Sequence, residues 1–286
     1  MITSPAFRYH GGTIRLSPWA RQHLPEHHTY VKPFGGAAGV LLNKSHSYPK
    51  VSSDLEGDVV NFFHVLQDVA LRGDLIEKRV LAPCARAEYA RAEFDQGWEP
   101  STNPVERACP FLIRAQVSIG FAVAKKDAAR LRIDFKSAYG TAQLWIRFPD
   151  SLATVAERFT AVLIESRPAV DIASRHDKLD TLHYVDPPSM HSVRMIQSGK
   201  SGSYRHEKTE TEHDAPLTPL RSLRSRVVIS RCRKPLYDEL ISDWSRVEIT
   251  SRIPAGCGCA TRTECPWISQ KSQASVPPAA LPLEKV

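Results

Sequence analysis

Two hydrophobic periods alternate along the chain, and their alternation predicts strands followed by helices. In "TYVKPFGGAAGVLLNK" (29–44) a short apolar-aromatic run gives way to a Gly-Gly turn and then to a helix-like stretch. In "PKVSSDLEGDVVNFFHVLQDVA" (49–70) a brief strand ends at Asp54, and Val59, Phe62, Phe63 and Leu66 follow at spacings of three and four. That spacing lines one face of a helix. Two strand-helix units in succession favour an α/β fold.

The pattern changes over residues 75–150. Here "ARAEYARAEFDQGWEPSTNPVERACPFLIRAQ" is helical at its ends and broken at Gly97, Pro100 and Pro104, which reads as a mainly helical insertion. The alternation then resumes, with a helix before a strand at 161–165 and a second strand in "DTLHYVDPP". Polar loop and helix are expected over 204–223, a strand at 226–230, and a helix leading to a strand over 234–250. The expected organisation is an α/β domain from 1–74 and 151–269, an insertion at 75–150, and a disordered tail at 270–286 that lacks periodicity.

Composition narrows the partners. The 286 residues are 42% hydrophobic, enough for a substantial core. A formal charge of +7 favours a polyanion such as nucleic acid. Arg221, Arg224, Arg226, Arg231, Arg233 and Lys234 form a run without an acidic residue, and Lys125, Lys126, Arg130, Arg132 and Lys136 form a second run against the two aspartates Asp127 and Asp134. Either could face phosphates or be a solvated face. No apolar run is long enough for a membrane helix and the N-terminus lacks a signal-peptide core, so a cytoplasmic protein without membrane contact is expected. Six cysteines at irregular spacing do not suggest a disulfide framework. Cys257, Cys259 and Cys265 lack a fourth nearby ligand, so no metal is expected.

Three places carry candidate chemistry. Phe34, Gly35 and Gly36 form a turn between strand and helix, where a ligand can approach the backbone and meet free N–H groups; a purely structural βα loop is the alternative. Asp54 stands at the end of the next strand, where nucleotide-binding α/β folds place an acceptor for ribose hydroxyls; helix capping is its alternative. In "TLHYVDPPSM" (181–190), Asp186 and the carbonyl of Pro187 can both accept hydrogen bonds from an amino group, and proline's fixed φ holds that carbonyl in place. A simple turn at a strand end would also account for Asp-Pro-Pro.

Five segments in order, "RYHGGT" (8–13), "YVKPFGGAAGVLLNK" (30–44), "SSDLEGDVVNFF" (52–63), "LHYVDPPS" (182–189) and "SYRHEKTETEHDAPL" (203–217), together resemble the Dam-type adenine-N6 DNA methyltransferases, in particular their phage and prophage branch. The resemblance runs from about residue 6 to residue 269. It implies a Rossmann-like S-adenosylmethionine-dependent methyltransferase fold, a target-recognition role for 75–150, double-stranded DNA as substrate and a monomeric enzyme. It places Tyr9, Thr13, Phe34, Gly35, Gly36, Asp54 and Asp186 at the cofactor, and Asp186, Pro187, Pro188 and Ser189 at the target base. The base would have to leave the duplex stack to reach them.

Four sites depart from the family pattern. Ser189 stands where an aromatic would stack on the flipped base, a loss of about 1–3 kcal/mol. Thr13 replaces a lysine, Lys32 replaces a glutamate, and Arg231 with Cys232 put bulk where Ser-Gly-Tyr is usual. These changes imply reduced activity, or a catalytically decayed relative that only binds DNA. Methylation of cytosine N4 is a third reading with the same motif logic.

Overall fold

The computed structural model describes residues 2, 5–9, 14, 16–47, 49–81, 85–95, 101–117, 141–187, 217–232, 235–255 and 258–273. Its centre is one sheet. Strands β1 (Thr29–Lys32), β2 (Lys50–Ser53), β3 (Val162–Glu165), β4 (Thr181–Val185) and β5 (Arg226–Cys232) run parallel. β8 (Gly258–Ile268) then pairs antiparallel with β5, with β6 (Ser245–Arg246) and with β7 (Ile249–Ala255). The spatial order is β3-β2-β1-β4-β5-β8-β6. Strand order reverses at β1, with β2 on one side and β4 on the other, and open α/β sheets bind ligands at such a switch point.

Every residue of β1 and β4 is buried, as expected of parallel strands covered on both faces. Tyr30, Leu182, Tyr184 and Val228 enter one hydrophobic core with α2 (Gly39–Asn43) and α3 (Gly57–Gln67). On the other face, Val31 and Val51 meet Ile172 of α8 (Ala169–Arg175). Val185, Val227 and Ile229 pack there with α9 (Leu217–Ser222) and α10 (Pro235–Leu240). The arrangement is a Rossmann-like sheet wrapped on both sides. The α3 spacing read from sequence gives the buried stripe Val59, Phe62, Phe63 and Leu66, and Phe63 stacks on Phe159 with centroids 4.0 Å apart.

The described part of 75–150 is helical: the end of α4 (Val69–Leu81), then α5 (Arg86–Asp95), α6 (Pro104–Val117) and the start of α7 (Thr141–Phe159). Leu75, Val105, Phe111, Leu112 and Phe148 lie in the same core as Tyr30 and Leu182. Pro104 starts α6 rather than breaking a helix, since Asn103 Oδ1 accepts from the amides of Val105 at 2.9 Å and Glu106 at 3.2 Å. Arg107 Nε donates to Asp58 Oδ1 at 2.7 Å, fastening α6 to the first turn of α3. The basic run at 125–136 lies outside the described residues.

Past β8, residues expected to begin a tail form the short helix α11 (Gln270–Gln273). Ser269 exchanges backbone and side-chain bonds with Val227, through N to O at 3.0 Å and Val227 N to Oγ at 3.1 Å. A single helical turn is too short for periodicity to reveal. No helix is long and apolar enough to cross a membrane, and no metal-holding group of side chains occurs, among the described residues.

Candidate active site

The candidate residues converge on the C-terminal ends of β2, β1 and β4. Ser53 fixes the end of β2: its buried Oγ donates to the Arg167 carbonyl at 2.9 Å and accepts from the Arg167 amide at 3.1 Å. The next amide, Asp54 N, donates to Glu165 O at 3.2 Å. The Asp54 carboxylate is thereby held toward the turn after β1. Its Oδ2 accepts from Gly36 N at 2.7 Å and its Oδ1 from Glu56 N at 2.9 Å. Asp54 is not the cap of α3, because that N-cap is Glu56.

The turn after β1 needs its glycines for different reasons. A Cβ on Gly35 would lie 3.0 Å from Ser52 Oγ and 3.1 Å from Ser53 O, where β2 passes. Gly36 has φ +48°, in the left-handed region, and a Cβ there would meet the Tyr9 ring at 3.5 Å. Tyr9 is delivered by the N-terminal segment, which is anchored by Phe7 in edge contact with Phe62 and Phe111. Tyr9, Gly36 and Asp54 therefore meet at one point.

β4 brings the third component. Its register puts Val31 opposite His183, so Lys32 at the end of β1 sits beside Tyr184, two residues before Asp186. Lys32 is 3% exposed. Its Nζ donates to Phe34 O at 2.6 Å and lies 5.7 Å from the centroid of the Tyr184 ring. Burial holds its ammonium below the ordinary lysine range, while Asp186 and then Asp54 pull it back up. Burial, then Asp186, likewise pushes the Tyr184 phenol above its ordinary value. Asp186 and Pro187 are half-buried at the mouth of the site.

The sequence-predicted residues thus divide. Tyr9, Phe34, Gly35, Gly36, Asp54, Asp186 and Pro187 cluster around the ends of these three strands, whereas Thr13, Pro188 and Ser189 lie outside the described residues. Tyr184, the aromatic nearest Ser189 in sequence that could substitute as a stacking surface, is 1% exposed. Arg231 is buried on the opposite face of the sheet, its Nε donating to the Tyr237 hydroxyl at 3.4 Å. Arg221 pairs with Asp243 at 3.1 Å. The described arginines of that run accordingly do not share one phosphate-facing surface. Sequence reasoning missed Ser53 and Arg167, whose contact joins positions too far apart for any local signal.

Carboxylates at the ends of two parallel strands, flanking a glycine turn, can bind a ribose on one side and an amino group on the other. The family model of D12 class N6 adenine-specific DNA methyltransferases matches residues 9–252, from Tyr9 into the middle of β7. No curated protein matches the chain.

Proposed function

We propose, for a chain that belongs to the D12 class N6 adenine-specific DNA methyltransferase family, that S-adenosylmethionine binds along the ends of β1 and β2 and that adenine N6 in duplex DNA is methylated at Asp186. The observation that carries this reading is the placement of Asp54 and Asp186 past the ends of the two strands that flank β1 and its Phe34–Gly36 turn, with Asp54 accepting from the amide of Gly36. Asp54 would accept from the ribose hydroxyls, Tyr9 and the glycine turn would border the rest of the cofactor, and Thr13 would lie near its amino-acid end. The close approach at Gly35, where a Cβ would press on β2, seats the turn against the end of β2 beside Asp54.

When bound, the cofactor supplies an electrophilic methyl on a sulfonium. The chain's own part is to prepare the nucleophile. An exocyclic amino group is a weak nucleophile because its lone pair is delocalised into the ring. Asp186 and the Pro187 carbonyl accept hydrogen bonds from its two hydrogens, turning the nitrogen lone pair out of conjugation and toward the donor. The base must be flipped to reach them, and Pro188 and Ser189 would border it without a π-face. A reduced rate follows.

Tritiated-methyl transfer to unmethylated duplex DNA, followed by nucleoside analysis, tests the reading. Label in N6-methyladenine is expected. Label in N4-methylcytosine would overturn the choice of base, and DNA binding without any transfer would favour a decayed, binding-only protein.

A further inference from the structure

A second polar cluster lies where the parallel strands begin, at the end of the sheet remote from Asp54 and Asp186. The register sets Tyr30 beside Leu182 and Leu182 beside Arg226, so one row crosses the starts of β1, β4 and β5. The His27 ring meets the Tyr30 ring at 5.8 Å, and Lys44, just past α2, holds its Nζ 4.9 Å from the centroid of Tyr30. Tyr30 is fully buried and Lys44 nearly so. Three buried polar atoms here have no hydrogen-bond partner among the described residues: His27 Nε2, Tyr30 Oη and Arg226 Nε. Buried donors ordinarily find acceptors. The charged groups that act on His27 are Lys44 and Arg226, and those that act on Lys44 are Arg158 of α7 and Lys50 of β2, all of them cations. Burial, reinforced by these cations, pushes Lys44 down to about 7 and, against the hydrogen bond to Pro25, His27 down to about 4.

We propose that His27, Tyr30, Lys44 and Arg226 form a binding site for a phosphate-type oxyanion, distinct from the site of methyl transfer and coupled to proton uptake at His27. Such an anion supplies at once the acceptors and the negative charge that the cluster's donors and cations call for. The proton coupling follows from the tautomer. His27 Nδ1 lies 2.7 Å from the Pro25 carbonyl, which can only accept, so Nδ1 carries the proton and Nε2 must gain one before it can donate. The burial of the three atoms favours a small free anion over the backbone of a duplex.

Calorimetric titration of the full chain at pH 7 with inorganic phosphate, and with sulfate as a dianion that does not itself titrate near neutrality, tests the proposal. The parent should bind both anions saturably. Sulfate titrations repeated in buffers of different ionisation heat should show net proton uptake. Tyr30→Phe, which keeps the ring and removes the hydroxyl, and Lys44→Gln should each weaken binding about tenfold or more. His27→Asn, whose amide still reaches the Pro25 carbonyl, should lower the uptake by about one proton. Tyr30→Phe decides the matter if the lysine variant loses its cooperative melting transition. Absence of saturable binding by the folded parent, or an unchanged affinity in Tyr30→Phe, overturns the site. Proton uptake that persists in full in His27→Asn overturns the coupling, and displacement of sulfate by a short duplex oligonucleotide overturns the assignment to a free anion.

Discussion

The amide of Gly36 donates to Asp54 Oδ2 at 2.7 Å, which joins the turn after β1 to the end of β2 before any ligand arrives. The same carboxylate accepts from Glu56 N at 2.9 Å. Asp54 therefore organises the turn in addition to the ribose contact proposed for it. Asp54→Ala would leave two partly buried amides without their acceptor, at about 1–3 kcal/mol each. The expected outcome is a lower melting temperature together with loss of calorimetric binding. Asp54→Asn keeps one oxygen acceptor and should melt between the parent and the alanine variant. An alanine variant that melts like the parent would remove the turn-bracing role.

Gly36 tests the other half of that relationship. With φ at +48°, alanine there costs about 1–2 kcal/mol from the backbone alone, and its Cβ would touch the Tyr9 ring at 3.5 Å, an ordinary contact. Gly35→Ala has no such φ, but its Cβ would sit 3.1 Å from the Ser53 carbonyl, which cannot rotate away. Both should weaken nucleoside binding. Gly36→Ala should do so with the turn otherwise in place, and Gly35→Ala by separating β1's turn from β2. Denaturant melts and calorimetry on the two variants check this, and unchanged affinity in both would mean that the turn does not border the ligand.

How much of this was legible beforehand follows from the range of each interaction. The α3 stripe, the strands at β1, β3, β4 and β5, and the positions of the glycine turn and of Asp54 are local patterns, and the sequence displays them directly. The Arg167 grip on Ser53, which spans 114 residues, has no local signal. Neither does the face that Arg231 chooses. A strand alternates sides, so a run of arginines on β5 must divide between two environments, and only packing against Tyr237 shows which side Arg231 takes. Lys32 was visible as a reversed charge, but its burial depends on α2, β4 and β2 arriving together.

Acid should unfold the protein partly through a buried histidine. His183, in the middle of β4, has its Nδ1 2.9 Å from Ser225 Oγ. Burial, opposed by Asp177, holds its pKa down to about 4. The folded state thus binds this proton less readily than the unfolded chain, where histidine titrates near pH 6.5. The stabilisation from keeping His183 neutral is complete above about pH 6.5 and is lost as pH falls from there toward 4. The depression corresponds to something on the order of 3 kcal/mol. His27, held to about 4 mainly by burial, adds in the same direction. Stability measured in urea across this range should fall less steeply for His183→Gln than for the parent. Parallel slopes would mean that His183 does not contribute.

The remaining prediction concerns the target base. Asp186 closes β4 at the mouth of the site, while Tyr184, two residues earlier, is 1% exposed beneath it. Tyr184 cannot offer a face to a flipped base without unpacking the core, so the aromatic missing at Ser189 has no replacement on that strand. If Asp186 and Pro187 orient the amino group and only a stacking surface is lacking, Ser189→Tyr should raise methyl transfer by roughly 5- to 150-fold, the equivalent of a 1–3 kcal/mol stack felt in the transition state. Asp186→Ala should abolish transfer in both backgrounds. The gain should be smaller on a mismatched target, because an unpaired base costs less to flip and depends less on the stack to hold it. Single-turnover assays on matched and mismatched duplexes measure both effects. An unchanged rate in Ser189→Tyr would show that stacking does not limit this enzyme. A gain of equal size on both duplexes would place the benefit in orienting the amino group rather than in holding the flipped base.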